Sequence, residues 1–363
     1  MNMRGGKDEA TSEEGAAFEE LPWVARALRR AIESQQGHAL LIHGPGGVGQ
    51  FELALALAKG WLCEDLSLRL ADRPCGRCAS CKLHGARSHP DLLVLVPEAL
   101  RESLGWDTSG EGEEGGESKR KPSKEVRVEA VRAAIVFATT TSARGRGKVV
   151  VIHPAERMND VAASAFLKTL EEPVGNARFI LCSASPDRLL PTIRSRCQQI
   201  ALPVPPAREA EAWLASRGVA LPAVLLAASG GLPKEALDDA ARGVDAAAWL
   251  ALPRRVAAGD ATSLHGWGLP AAVDALQKIC HDSAALACGA APRYFPSERL
   301  VRGADIGALL RWSRELARVA AEADHPWSAD LAIESLVGQG REALKTPRSR
   351  DRREGGMSLN SAG

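Results

Sequence analysis

Cys75, Cys78 and Cys81 are each separated by two residues, with Gly76 and Arg77 inside the first gap, and Cys63 lies twelve residues upstream of Cys75. Thiolates at that spacing on a tight turn can share a tetrahedral Zn²⁺, and four protein ligands would close the site, making it structural rather than catalytic. Cys63, at the end of a helical run, is the candidate fourth ligand, with His84 and His89 as alternatives. A second candidate runs His43-Gly44-Pro45-Gly46-Gly47-Val48-Gly49-Gln50-Phe51, between the apolar stretch Ala39–Ile42 and the helical pattern Leu53–Leu62. Strand, glycine loop and helix in that order form a phosphate-binding loop, whose backbone N–H groups wrap phosphates. The complete motif also needs a Lys for the outer phosphates and a Ser or Thr hydroxyl for Mg²⁺; Gln50 and Phe51 occupy those positions. The cradle of Gly44, Gly46, Gly47 and Gly49 remains, with ATP binding in doubt. A later apolar run, Val149–Ile152, leads into His153-Pro154, where a nucleotide hydrolase needs an Asp for the metal and a Glu for the attacking water. Neither residue can do that work, and Glu156 is displaced from the position and reads as a surface residue or a cap. Loss of four groups in two motifs is not a shifted alignment. The pattern is that of an ATPase body without its motor residues.

The elements that must position these groups follow from periodicity. Val24, Leu28 and Ile32 recur at helical spacing after Pro22. Leu92–Val96, Val149–Ile152 and Phe179–Cys182 are short continuous apolar runs of the kind buried in a parallel sheet. Helical patterns over Val126–Thr139 and Ala162–Glu171 alternate with them, which predicts an α/β layer structure with a parallel sheet covered on both faces. Pro203–Pro206 breaks the pattern, and everything beyond reads as helix. There Trp312, Leu316, Val319 and Ala320 form one stripe, and Cys280 and Cys288 read as core thiols. The 363 residues suit two or three domains, and the net charge of +1 argues against an autonomous binder of nucleic-acid backbones. The polar start has no apolar h-region, and no run of about 18 apolar residues occurs, so neither a signal peptide nor a membrane span is expected. Eight cysteines, with one tight cluster, suit a reducing cytoplasm.

Leu167-Lys168-Thr169-Leu170-Glu171-Glu172-Pro173 and Ser195-Arg196-Cys197 together resemble the clamp-loader branch of the AAA+ proteins. A four-cysteine module inserted after the phosphate-loop helix is similar to that of the bacterial clamp-loader subunits. The resemblance implies an AAA+ domain over 21–202 with its zinc module at 63–89. Within it the low-complexity stretch 107–124, acidic and glycine-rich and then basic, is expected to be a disordered insert because it cannot bury a core. A helical lid over 203–245 and a helical collar over 246–345 would follow, between disordered tails at 1–20 and 346–363. The resemblance also implies a non-hydrolysing, stator-like role in loading a sliding clamp onto primed DNA. Arg196 would be an arginine finger pointed at ATP in a neighbouring subunit, so the chain would not be catalytic by itself. The implied partners are motor (gamma/tau) and delta subunits in a hetero-pentamer, and through them the clamp and primer-template DNA, with no membrane. A motor subunit of the same family and a zinc-containing DNA-binding protein on an AAA+ scaffold are the alternatives.

Overall fold

The computed structural model describes residues 21–34, 37–106, 122–172, 175–322 and 328–345. The expected tails and most of the expected insert lie outside these residues. The chain forms two compact units that divide after Pro205.

In the first unit, helix α1 (Pro22–Ser34) precedes strand β1 (Ala39–His43) and helix α2 (Gln50–Leu62). A short helix α3 (Ala79–Gly85), strand β2 (Leu92–Leu95) and helices α4 (Glu98–Leu104) and α5 (Val128–Thr139) follow. Strand β3 (Lys148–Ile152), helix α6 (Asp160–Glu171), strand β4 (Ala177–Ser183), helix α7 (Pro191–Arg196) and strand β5 (Gln198–Ala201) complete it. The strands form one parallel sheet in the order β2-β3-β4-β1-β5. Every residue of β3 is buried, as a central parallel strand with helices on both faces requires. Strand β2 is largely half-buried because it lies at the edge, so its apolar run does not have the fully buried position its composition suggests. Phe166 of α6 packs edge-on against Phe179 of β4 at 5.1 Å, joining helix layer to sheet. Of the expected insert, residues 122–124 are described, and there Ser123 N–H donates to Glu98 Oε2 at 2.9 Å, which fastens residue 123 to α4.

An ion pair is buried inside this unit. Asp91, 0% exposed, sits 3.4 Å from the Lys148 ammonium and accepts from Ala143 N, Arg144 N and Ser142 Oγ at 2.8–2.9 Å. It therefore pins the loop between α5 and β3 to the start of β2. Burial alone would raise the Asp91 pKa, but these donors and the Lys148 charge outweigh it and hold the carboxyl below its ordinary value. Its stabilising contribution is therefore present above the ordinary carboxylate range, near pH 4, and is lost as pH falls through the lower folded value. Lys148→Met leaves the Asp91 charge buried with hydrogen bonds alone. It is expected to cost about 3 kcal/mol, read as a lowered urea midpoint at unchanged slope.

In the second unit the described helices are α8 (Ala207–Ser216), α9 (Pro222–Ala228), α10 (Pro233–Ala241), α11 (Ala246–Ala258), α12 (Leu269–Ala287), α13 (Ile306–Ala321) and α14 (Ala329–Ala343). Trp312, Leu316 and Val319 of α13 are buried, whereas Ala320 is exposed and falls off the stripe. Trp312 Nε1–H donates to Leu336 O at 3.0 Å. Gly340 lets α14 approach this ring, since a Cβ there would meet Trp312 at 2.6 Å. Cys280 is buried, but Cys288 is exposed, because it caps the end of α12 where the helix runs out to solvent. Asp282, also 0% exposed, accepts from the N–H groups of Arg293, Tyr294 and Phe295, which gives the proline-flanked break after α12 a fixed course. Among the described residues no helix is long and apolar enough to cross a membrane.

Candidate functional site

The glycine loop leaves the C-terminal end of β1, between neighbouring strands β4 and β5, where open parallel sheets bind ligands. Gly44 is required by crowding: a Cβ there would stand 2.0 Å from Leu202 O. Gly49, with φ of +98°, starts α2 from a left-handed conformation, and a Cβ would collide with Val24 and Leu21. Gly47 also has positive φ, and Gly46 is half-buried beside it. Trp23 Nε1–H of α1 donates to Val48 O at 2.7 Å, so the first helix braces the loop.

The side chains at the motor positions turn inward. Gln50 is buried, and its amide donates to Gly44 O at 2.7 Å and to Pro45 O. The group standing where a lysine would reach phosphate is thus used up on the loop's own carbonyls. Phe51 stacks on His153 with ring centroids 4.8 Å apart and meets Trp106 edge-on at 6.4 Å. The two positions that would hold Mg²⁺, one from each motif, are therefore packed against each other as rings. Glu156 is not a surface residue: it is half-buried and its Oε1 accepts from Ala184 N at 3.0 Å, tying the exit of β3 to that of β4. Ser183, 1% exposed, accepts from Ser185 N through its hydroxyl. What remains for a ligand is backbone, with no carboxylate at the metal position.

Arg196 ends α7 with its side chain about one-third exposed (34%). Its Nη2 pairs with Glu171 Oε1, at the end of α6, and its Nη1 donates to Thr192 O at 3.0 Å. Glu171 was visible in the sequence as part of a motif, but nothing in the spacing marked it as the partner of Arg196. The neighbouring Cys197 thiol is pushed up to about 12 by burial, so it packs as an inert apolar group.

The four cysteines converge. The sulfurs of Cys63, Cys75, Cys78 and Cys81 all lie within 4.8 Å of one another, and Cys75 and Cys81 are 3.9 Å apart. Tetrahedral thiolate coordination at about 2.3 Å implies sulfur separations of about 3.8 Å, so the cluster fits a metal ion. The backbone also fits. The N–H groups of Cys75, Cys78 and Cys81 point at the sulfurs of Cys63, Cys75 and Cys78, at 3.3–3.4 Å, treating them as acceptors. Burial alone would lift the Cys75 thiol, but the N–H groups of Cys78 and Arg77 outweigh it and bring it down to about 7. Burial raises Cys63 and Cys81. The two histidines are placed elsewhere. His89 Nδ1 accepts from Asp91 N at 3.0 Å, so its Nε2–H faces Ser80 Oγ at 2.6 Å, and that hydroxyl donates to Leu62 O. His84 is buried and pulled down to about 3 by desolvation, then by Lys59 and His89, so it stays neutral.

Residues 22–206 match the protein family described as "DNA polymerase III, delta subunit". Among curated proteins, DNA polymerase III subunit delta' of Pseudomonas aeruginosa is 40% identical over 205 residues, covering 55% of each chain. The Escherichia coli subunit delta' is 34% identical over 223 residues, 60% of this chain and 59% of that one. DNA polymerase III subunit tau of Salmonella typhimurium is 30% identical over 46% of this chain and 21% of its own. The chain is thus matched over 55–59% of the length of the delta' proteins from the first two organisms. Among solved structures, a gamma subunit-related protein from Thermotoga maritima is 17% identical over 88% of this chain and 99% of its own, with a TM-score of 0.46.

Proposed function

The chain belongs to the DNA polymerase III delta subunit family, and from that premise we propose that it acts as a delta-prime-type stator of the clamp loader. In this reading it holds its place beside motor (gamma/tau) and delta subunits in a hetero-pentamer in the bacterial cytoplasm. It helps place the sliding clamp on primer-template DNA without hydrolysing ATP itself. Residues 203–245 serve as the lid and 246–345 as the collar that joins the subunits. Arg196 is the group it supplies to a neighbour's ATP. Zn²⁺ is the metal assigned to Cys63, Cys75, Cys78 and Cys81, where it would staple the segment after α2 rather than take part in a reaction.

The observation that carries the reading is the Phe51–His153 stack together with the inward turn of Gln50. A motor site must keep a lysine, a hydroxyl and a carboxylate free at those positions; here they are closed and hold none of the three. The similarity to tau proteins raises the motor as a second reading, and the same packing opposes it. Purified chain alone is expected to show no ATP turnover above a mock preparation. Gln50→Lys with Phe51→Thr is expected to restore none, because His153 and Pro154 still supply neither a metal ligand nor a base. Turnover that co-elutes with the chain and is abolished by altering the loop would establish the motor reading instead.

A further inference from the structure

The end of the sheet opposite the glycine loop carries a cavity of about 500 Å³, among the residues that lead into β1, β3 and β4. His38, Trp61, Leu70, Arg146, Asn176 and Arg178 line it. A smaller cleft of about 380 Å³ shares Gly145, Gly175 and Asn176 with it and continues past Thr139 and Ser142. The Arg178 guanidinium lies 4.5 Å from the centre of the Trp61 ring. Burial, then the positive charge of Arg146, push Arg178 below its ordinary value. Among the described residues neither arginine has a carboxylate partner. Two N–H donors of the lining are also unsatisfied: Arg146 Nε and Trp61 Nε1 are buried without a hydrogen-bond partner, and Trp61 is only 4% exposed.

Two like charges held together in a recess cost free energy, and so does each buried donor left without an acceptor. Every one of these deficits is of the same sign: positive charge and N–H groups lacking negative charge and lone pairs. The planar fork of arginine matches a tetrahedral oxyanion bidentately. We propose that this cavity binds an oxyanion of the phosphate class, with Arg146 and Arg178 as its charged donors. The site lies at the opposite end of the sheet from the glycine loop and does not depend on the role given to Arg196. A free phosphate compound and the backbone of a nucleic-acid strand are the two sources of such a group.

The test uses the full, isotope-labelled chain. The Trp61 indole N–H resonance is identified by its disappearance in Trp61→Phe. It is then followed while inorganic phosphate, or in a second arm a short single-stranded oligonucleotide, is titrated at constant ionic strength. A saturable shift is expected, weakened at least ~10-fold in Arg146→Gln/Arg178→Gln, the scale of one lost charge-assisted hydrogen bond. An unchanged unliganded melting temperature checks that the variant is folded, and Arg146→Gln alone replaces it if it is not. Saturation by phosphate assigns the free compound, and saturation by the oligonucleotide alone assigns the strand backbone. The proposal is overturned if neither probe moves the resonance, or if the folded variant titrates like wild type.

Discussion

If Arg196 is the finger proposed above, Arg196→Ala in a reconstituted clamp loader is expected to slow hydrolysis at one neighbouring ATP site by ~10³-fold or more, the usual scale for an arginine finger supplied in trans. The physical reason is that charge spreads over the transferring phosphoryl oxygens, and a guanidinium held against them in a dry interface stabilises that charge strongly. Arg196 is equipped for this: it is partly exposed, at a helix end, and held by Glu171 rather than buried in the core. A half-exposed pair of that kind contributes at most about 1 kcal/mol to stability, so its loss leaves the fold intact and the two roles separate cleanly. Pre-steady-state phosphate release is the informative measurement, made after co-elution shows that all subunits assemble. The burst should lose the share of one site while the other sites keep theirs. Arg196→Lys should recover little, because a point charge does not reproduce the fork. Glu171→Gln removes the intramolecular partner and should leave the burst intact. If Arg196 is merely structural, Arg196→Ala and Glu171→Gln will match each other in stability, and neither will alter the burst.

The second large effect concerns the cysteine cluster. Purified chain is expected to carry about one Zn²⁺, and its removal by a strong chelator should cost several kcal/mol, a large part of the roughly 5–15 kcal/mol that stabilises a domain. Without the ion, Cys63, Cys75, Cys78 and Cys81 are four sulfurs crowded within 4.8 Å, and the segment between Cys63 and Cys81 includes no α-helix before Ala79. The cluster is expected to supply much of what fixes its course. Cys81→Ser should abolish stoichiometric metal and reproduce the loss of stability seen on chelation. His84→Ala and His89→Ala should keep the metal, because both rings are engaged outside the cluster. Metal-free protein with an unchanged melting temperature would remove the structural role. Retention of the ion by Cys63→Ser would remove the fourth ligand.

Much of this was legible in the chain because it is local. A glycine loop between an apolar run and a helical run, Gln50 and Phe51 in place of Lys and a hydroxyl residue, and His153-Pro154 in place of two acids are statements about spacing. Spacing within one turn or one strand end survives folding unchanged. The same holds for Cys75, Cys78 and Cys81, whose geometry follows from one turn and the start of α3, and for the alternation that produced the parallel sheet.

The rest belongs to the tertiary structure, since parallel strands pair only through long crossovers, which bring residues distant in sequence side by side. Register across β3, β4 and β1 decided that Phe51 would stack on His153 and that Glu156 would be bound to Ala184. The end of α2 brought Cys63 to the other three sulfurs and left the histidines outside. The packing of α6 beside α7 gave Arg196 its carboxylate. The recess of Trp61, Arg146 and Arg178 is assembled from the end of α2, the connection into β3 and the start of β4, at one end of the sheet. A net charge of +1 conceals it, because composition averages over a surface while a fold gathers its charges in one place.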